Sequence, residues 1–382
     1  MDNFKIKRNF DVRCTFCRSK KVVKKGRQKT KFGYIQLFYC KNCGRKFTGR
    51  KLKNKTYGPK IITNAITYYN LGNTLQESAK LVNRRFKVKI SKSSVHTWIK
   101  EFRNICTYHK IREKILKEYG KDILVSRNFV HNDLSYNFKY HKPKLEMCGF
   151  PSLISYIKKF DKGCPEFFDS IENRCSKFKL NLKIKKEGNH NLACKLAKLA
   201  LKSCSKPKER HPTVENFMLI NDSSTIACEV PIWFWEKNLN LGISGHIDIL
   251  QVRNGLIYIV DFKPNARREN EQKVASQLYF YASGLSFRTS IPLSKFRCAW
   301  FDNSVYFEFA PKDAKVRFSN SKWRSNPVRS DFIPKNKSFR ERSRSLEERN
   351  LGRGAKDETL TSYFLQPPIL NALLNPLFES LI

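Results

Sequence analysis

No stretch of roughly eighteen consecutive apolar residues, the length a membrane-spanning helix needs, occurs in this chain. The opening Met1-Asp2-Asn3-Phe4-Lys5 lacks the apolar core of a signal peptide. Both absences predict a soluble, intracellular protein, in the cytoplasm and nucleoid or in a nucleus, with no membrane partner. Acidic residues are scarce as well: 33 Asp and Glu stand against 75 Lys and Arg, a formal charge of +42. Solubility does not need so large an excess, which implies a polyanionic partner. Nucleic acid and acidic membrane surfaces both qualify, and nucleic acid is the better reading. Without a secretion signal, 12 cysteines in 382 residues read as metal ligands and buried thiols rather than disulfides. That length leaves room for two or three domains.

What is there begins with the distribution of charge. Residues 1–60 carry twenty Lys and Arg against only Asp2 and Asp11. Inside this segment Cys14-x2-Cys17 and Cys40-x2-Cys43 stand 22 residues apart. Two such pairs offer four thiolates to one ion, the closed tetrahedral set of a structural Zn2+ site with no position left for catalysis. Gly44 suits a tight knuckle, and the run from Phe32 to Tyr39 suits the strand between knuckles. Basic residues interleaved with aromatics fit a surface that touches phosphates. Next, Pro59 suits a first helical position, Ile61, Ile62, Ala65, Ile66 and Tyr69 repeat at helical spacing, and Gly72 suits a stop. Thr74 can cap a second helix and Ser91 a third, with Val95, Trp98, Ile99 and Phe102 on the inner side of the last. Three short helices ending in a polar-faced one read as a helix-turn-helix. Lys92, Ser94, His96, Thr97 and Lys100 are then the residues offered to a DNA major groove. The paired knuckles, basic hairpin and Tyr-Cys-x2-Cys-Gly-Arg-Lys-Phe resemble the zinc ribbons of insertion-sequence transposases, and the helices resemble the segments that follow them there.

The most informative pattern lies further on. Asn254-Gly255 between alternating apolar residues is a strong two-residue hairpin signal. Folding the chain there sets Arg253 against Leu256, Val252 against Ile257, Leu250 against Ile259, Asp248 against Asp261 and His246 against Lys263. Opposed like charges are destabilising, whereas a hard divalent cation takes carboxylate oxygens. With Ile247, Ile249, Val260 and Phe262 apolar on the other face, both strands read as central and covered on both sides. Residues 191–203 read as an amphipathic helix, 212–219 as a short helix and 227–233 as a strand. The helix after Lys263 is expected to start near Arg268, with Lys273, Gln277 and Tyr281 on one face.

Gly245-His246-Ile247-Asp248, Asp261-Phe262-Lys263 and Gln277-x3-Tyr281, in that order, resemble the PD-(D/E)XK nuclease superfamily and its RecB-like branch. The resemblance implies a restriction-endonuclease-like core of helix, three antiparallel strands and helix. It also implies Mg2+ or Mn2+ held by Asp248 and Asp261, Lys263 at the attacking water, and Gln277 and Tyr281 beside the scissile strand. It calls for a further ligand on the first helix: Glu215, with His190 and His211 as rivals. Glu229 resembles a recurring acidic position in the first strand. Some RecB-like members hold an iron–sulfur cluster with three cysteines after the Gln-x3-Tyr helix; only Cys298 follows here, which argues against one.

The organisation expected is a multidomain α+β and α/β chain: zinc ribbon (1–55), helix-turn-helix (56–105), connecting or accessory region (106–188), nuclease core (189–318), disordered basic linker (319–353) and tail (354–382). In the tail, Leu360, Tyr363 and Phe364 resemble the clamp-binding peptide of replication and repair proteins, with Asp357 replacing the leading Gln. They imply a sliding clamp of the PCNA type as a partner. The expected function is metal-dependent DNA hydrolysis in repair, recombination or a mobile element. The alternatives are a transposase-related protein and a non-catalytic DNA-binding regulator.

Overall fold

The computed structural model describes residues 12–30, 33–48, 52, 55–131, 134–164, 173–204 and 206–317. The basic linker and the tail with Leu360, Tyr363 and Phe364 lie outside the described residues. Near the N-terminus, β1 (Val22–Thr30), β2 (Gly33–Cys40) and β3 (Lys46–Thr48) form an antiparallel sheet in that order. Gly44, at φ +66°, permits the knuckle after Cys43. The unit's core is small: Cys14, Cys40 and Phe47 are buried, with Val12, Val22, Phe38 and Cys43 packed on them. Backbone ordering costs about 1–2 kcal/mol per residue, more than so few side chains return, so this unit needs a cross-link.

Helices α1 (Pro59–Asn70), α2 (Leu75–Phe86) and α3 (Lys92–Phe102) start where local chemistry dictates. Pro59 occupies the first turn of α1. Thr74 Oγ1 accepts from the Glu77 amide at 3.1 Å while the Glu77 carboxylate accepts from the Thr74 amide at 2.7 Å, a reciprocal cap. Ser91 Oγ accepts from the Ser94 amide at 3.2 Å. Val95, Trp98 and Phe102 are buried, which leaves Lys92, His96, Thr97 and Lys100 exposed and Ser94 half-buried.

These helices do not close a core of their own. They share one apolar cluster with α7 (Leu192–Ser203) and α8 (Arg210–Asn221) and with one face of a large sheet. A buried polar weld fixes the joint: Asn70 Nδ2 donates to Asn221 Oδ1 at 2.8 Å, Asn221 Nδ2 to Thr67 Oγ1 at 3.1 Å, and the Tyr108 amide to the Asn221 carbonyl at 3.1 Å. Residues 56–105 and 189–318, expected as separate units, are therefore packed together.

Between them, α4 (His109–Tyr119), α5 (Lys142–Glu146) and α6 (Pro151–Lys158) flank β4 (Leu124–His131) and β5 (Leu134–His141). Two short strands, β6 (Asn181–Lys183) and β13 (Lys315–Arg317), pair with each other. The large sheet adds β7 (Glu187–Asn189), β8 (Thr225–Glu236), β9 (Leu241–Arg253), β10 (Leu256–Phe262), β11 (Phe296–Phe301) and β12 (Tyr306–Phe309), in the order β4-β5-β8-β9-β10-β11-β12-β7. Among the described strand pairs of this sheet only β10–β11 is parallel, as expected across a helical crossover, here α9 (Glu271–Thr289). The chain is thus a mixed α/β protein with α8, three antiparallel strands and α9 in succession. Within residues 106–188, expected as a connecting or accessory region, β4 and β5 join this sheet.

Asn254 and Gly255 sit at φ +52° and +66°, as a two-residue primed turn requires. The expected register holds from Arg253–Leu256 to Ile249–Val260, and Asp248 and Asp261 lie one step beyond the last pair. Past that point no further pair forms between the two strands; on their other edges the Lys263 amide donates to the Phe301 carbonyl at 2.9 Å, and His246 pairs with Pro231. His246 therefore does not oppose Lys263. Both faces of β9 and β10 are covered, Ile247 and Ile259 in one cluster, Ile249, Val260 and Phe262 in the other. Helix α9 begins at Glu271 rather than near Arg268, because Ala266–Arg268 is a 3-10 turn and Asn270 Oδ1 caps the helix by accepting from the Lys273 amide at 3.0 Å. Among the described residues no helix is long and apolar enough to cross a membrane.

Candidate functional site

Strands β8, β9 and β10 and the helix α8 bring four carboxylates together. Asp248 comes from β9, Asp261 from β10, Glu215 from α8 and Glu229 from β8. Ligand atoms of His211, Glu215 and Asp248 all lie within 4.8 Å of one another. Both first-helix candidates other than His190 thus belong to the cluster. His190 is exposed, immediately after β7 at the sheet's far edge. Lys263 Nζ sits 2.7 Å from Asp261 Oδ2, as residues two apart on one strand face should. His211 Nδ1 lies 3.7 Å from Asp248 Oδ2, and its ring rests edge-on against Phe262.

Glu229 has φ +53° inside a strand, a left-handed conformation that is strained for a non-glycine residue and clusters at functional sites. It falls between Cys228, paired with Ile249, and Val230, paired with Ile247, so the kink sits level with Asp248.

The electrostatics divide these acids. Burial, then the Asp248 charge, pushes the Asp261 carboxyl well above the carboxylate range. Burial works the same way on Asp248, but a hydrogen bond with Asp261, the contact with His211 and the Lys263 charge outweigh it and hold Asp248 low. Glu215 is driven up by burial and by the charges of Glu229 and Asp248. Glu229 is pushed to about 8, first by burial and then by Asp248. Glu215 Oε1 is buried with no hydrogen-bond partner. Acids packed so densely, one with an orphaned oxygen, fit a hard divalent cation that takes oxygen ligands.

Three more groups come from the stretch between the helices and the core. Lys139 on β5 is buried, donates to Asn216 Oδ1 at 2.6 Å and bears electrostatically on Glu215 and Glu229. Tyr136 stacks on His246 with ring centroids 3.3 Å apart, and Arg174 donates to the Tyr136 hydroxyl. Sequence reasoning missed all three. Their segment carries no motif; the pairing of β5 with β8 brings Tyr136 and Lys139 near, and a bridge between Arg174 and Ser244 brings Arg174.

On α9, Gln277 Nε2 donates to the Tyr281 hydroxyl at 2.9 Å. Tyr281 also explains the glycine three residues before Asp248: a Cβ on Gly245 would meet Tyr281 Cε1 at 2.6 Å. Gly245→Ala is expected to destabilise the protein by about 1–3 kcal/mol through overpacking and to loosen the Gln277–Tyr281 bond. Denaturant unfolding checks this, and an unchanged midpoint would contradict it.

At the other end, Cys14 Sγ lies 3.6 Å from Cys43 Sγ and Cys17 Sγ 3.5 Å from Cys40 Sγ. Ligands about 2.3 Å from one tetrahedral ion stand about 3.8 Å apart, so the four thiols, all mutually within 4.8 Å, can hold a metal such as zinc. Of the other cysteines, Cys106, Cys175, Cys194, Cys228 and Cys298 are buried.

Comparison with protein-family models, with curated proteins and with solved structures finds no match to this chain.

Proposed function

We propose that this chain is a metal-dependent deoxyribonuclease of the PD-(D/E)XK type, brought to DNA by a zinc ribbon and by α3. The observation that carries the reading is the convergence of Glu215, Asp248, Asp261 and Lys263 from α8, β9 and β10. Glu215, Asp248 and Asp261 would hold Mg2+ or Mn2+, which when bound acidifies water and neutralises charge developing on phosphate. Lys263 would orient the attacking water or donate to the same phosphate oxygens. Its pKa is raised despite burial, through the Asp261 and Asp248 charges, so it acts as a fixed cation rather than a base. Gln277 and Tyr281 would line the path of the cleaved strand. Half-exposed His211 stands in the same cluster as Glu215 and Asp248 and would be a further ligand.

Cys14, Cys17, Cys40 and Cys43 would hold Zn2+ for folding, and the basic strands around them would contact phosphates. Lys92, Ser94, His96, Thr97 and Lys100 would face the major groove. Leu360, Tyr363 and Phe364 would engage a sliding clamp, in repair, recombination or a mobile element. The test is cleavage of labelled duplex and single-stranded DNA in Mg2+ or Mn2+ beside an Asp248→Ala control. Metal-dependent cutting lost in the control is expected; salt-sensitive binding without cutting would overturn the reading in favour of a DNA-binding regulator.

A further inference from the structure

Helix α8 carries His211 and Glu215, and two buried lysines from β5 and α5 grip it. Lys144 on α5 is 4% exposed, and its ammonium donates to the carbonyls of Leu219, of Asp222 at 2.6 Å and of Thr225 at 3.0 Å. Those carbonyls lie where α8 ends and β8 begins, at the negative end of the helix dipole, where acceptors lack helical partners. Lys139 on β5 is 3% exposed and reaches the middle of the same helix. Its Nζ donates to Asn216 Oδ1 at 2.6 Å, and Asn216 Nδ2 donates to the Pro212 carbonyl at 2.7 Å.

Asn216 and Pro212 are the sequence neighbours of Glu215 and His211, so this one side chain braces the turn that carries both. The strand behind them is tied to the same place. β5 pairs with β8 at Lys139–Cys228 and Tyr140–Ala227, and the Cys228 thiol donates to the Glu215 carbonyl at 3.5 Å. Left-handed Glu229 comes next. Lys139 therefore stands where α8, β5 and β8 meet, and its charge bears on both Glu215 and Glu229. Burying an ammonium is costly, and an apolar chain of similar volume would pack as well. Yet Lys139 ends on a neutral amide, in direct contact with no acid among the described residues.

We propose that Lys139 is a positioning residue for the cation site: through Asn216 it fixes the turn of α8 from which His211 and Glu215 reach the ion they share with Asp248. Lys139 touches neither the ion nor DNA and acts through these ligands alone. Groups that orient metal ligands in this way set affinity nearly as strongly as the ligands do. The proposal rests on reading the acids as a cation site, and it gives β5, a strand outside the helix, three strands and helix of the core, a part in assembling that site.

The test titrates Mn2+ into the zinc-loaded full chain, followed by electron paramagnetic resonance, in wild type, Lys139→Met, Asn216→Leu and Asn216→Asp. Melting in EDTA and DNA cleavage at fixed, subsaturating Mn2+ accompany it. Lys139→Met and Asn216→Leu are each expected to weaken Mn2+ binding about ten- to hundredfold and to lower kcat with KM for DNA unchanged. Lys139→Met puts an apolar chain of similar shape in place of a buried cation, so it should fold. Asn216→Asp keeps the acceptor atom and is expected to bind Mn2+ at least as tightly as wild type. Loss of a positive charge by itself would tighten a divalent cation, so the direction of the change separates positioning from charge. Mn2+ affinity unchanged or tighter in Lys139→Met, whatever its melting temperature, would overturn the proposal and leave the nuclease intact. Mn2+ affinities that fall as expected, with no cleavage by any of the proteins, would sustain the positioning role and remove the nuclease. A wild type that binds no Mn2+ would overturn both.

Discussion

Alanine in place of Asp261 is expected to slow DNA cleavage about a thousandfold, since a bound cation contributes several kcal/mol to the transition state and each 1.36 kcal/mol is roughly tenfold in rate. DNA affinity should change little, because the proposed binding surfaces lie on the ribbon and α3. The same change has a thermodynamic signature in metal-free protein. Burial pushes the Asp261 and Glu215 carboxyls up, and Glu229 stands at about 8. Groups raised in the fold contribute stability that is fully present below the ordinary carboxylate range and drains away as pH climbs. Metal-free wild type is therefore expected to lose thermal stability between pH about 5 and about 8, and Asp261→Ala to lose less. A divalent cation should restore the alkaline end, by about 2.7 kcal/mol at a hundredfold excess over its Kd. Melting curves in EDTA and in Mg2+ across that window, beside cleavage rates, check both effects. Identical pH profiles for the two proteins would contradict the electrostatic picture.

Serine in place of Cys40 should act at the opposite end of the chain with comparable force. The ribbon's core of Cys14, Cys40 and Phe47 cannot order three strands alone, whereas a structural zinc returns about 10–16 kcal/mol on binding. Cys40→Ser is expected to abolish zinc retention, unfold β1 to β3 and weaken DNA affinity by about a hundredfold, as loss of several phosphate contacts would. The sheet beyond should stay folded, since its clusters share no residue with the ribbon's. Elemental analysis, amide exchange and DNA titration read the three effects. Ribbon amides that stay protected without metal would refute the zinc requirement.

What the sequence announced, and what it hid, follows the range of the interactions. Local rules placed Thr74, Ser91 and the Asn254-Gly255 turn, because caps and primed turns are decided within four residues. The period-2 pattern carried that turn's register up to Asp248 and Asp261. It could not foresee that the ladder ends at Ile249 and Val260.

The strands β4 and β5 were hidden because Ser126, Arg127, Asn128 and Asn137, near the sheet's edge, are polar and leave no clear apolar alternation. With those strands went Tyr136 and Lys139, whose neighbours Glu229 and Asn216 lie far along the chain. Glu229 was visible as an acid, but its left-handed backbone was not, since nothing in Ala-Cys-Glu-Val-Pro demands it. Gly245 was read as a motif letter, and its cause, the approach of Tyr281, appears only in three dimensions.

The carboxylate cluster is either a cation site or an unexplained burial of like charge, and electron paramagnetic resonance of Mn2+ separates the two. In zinc-loaded protein titrated with Mn2+, a bound signal is expected that saturates with the wild type and is lost in Asp248→Ala/Asp261→Ala, with cleavage rising in step with occupancy. Mn2+ binding equal in both proteins, or cleavage indifferent to occupancy, would contradict a metal-dependent nuclease at this site.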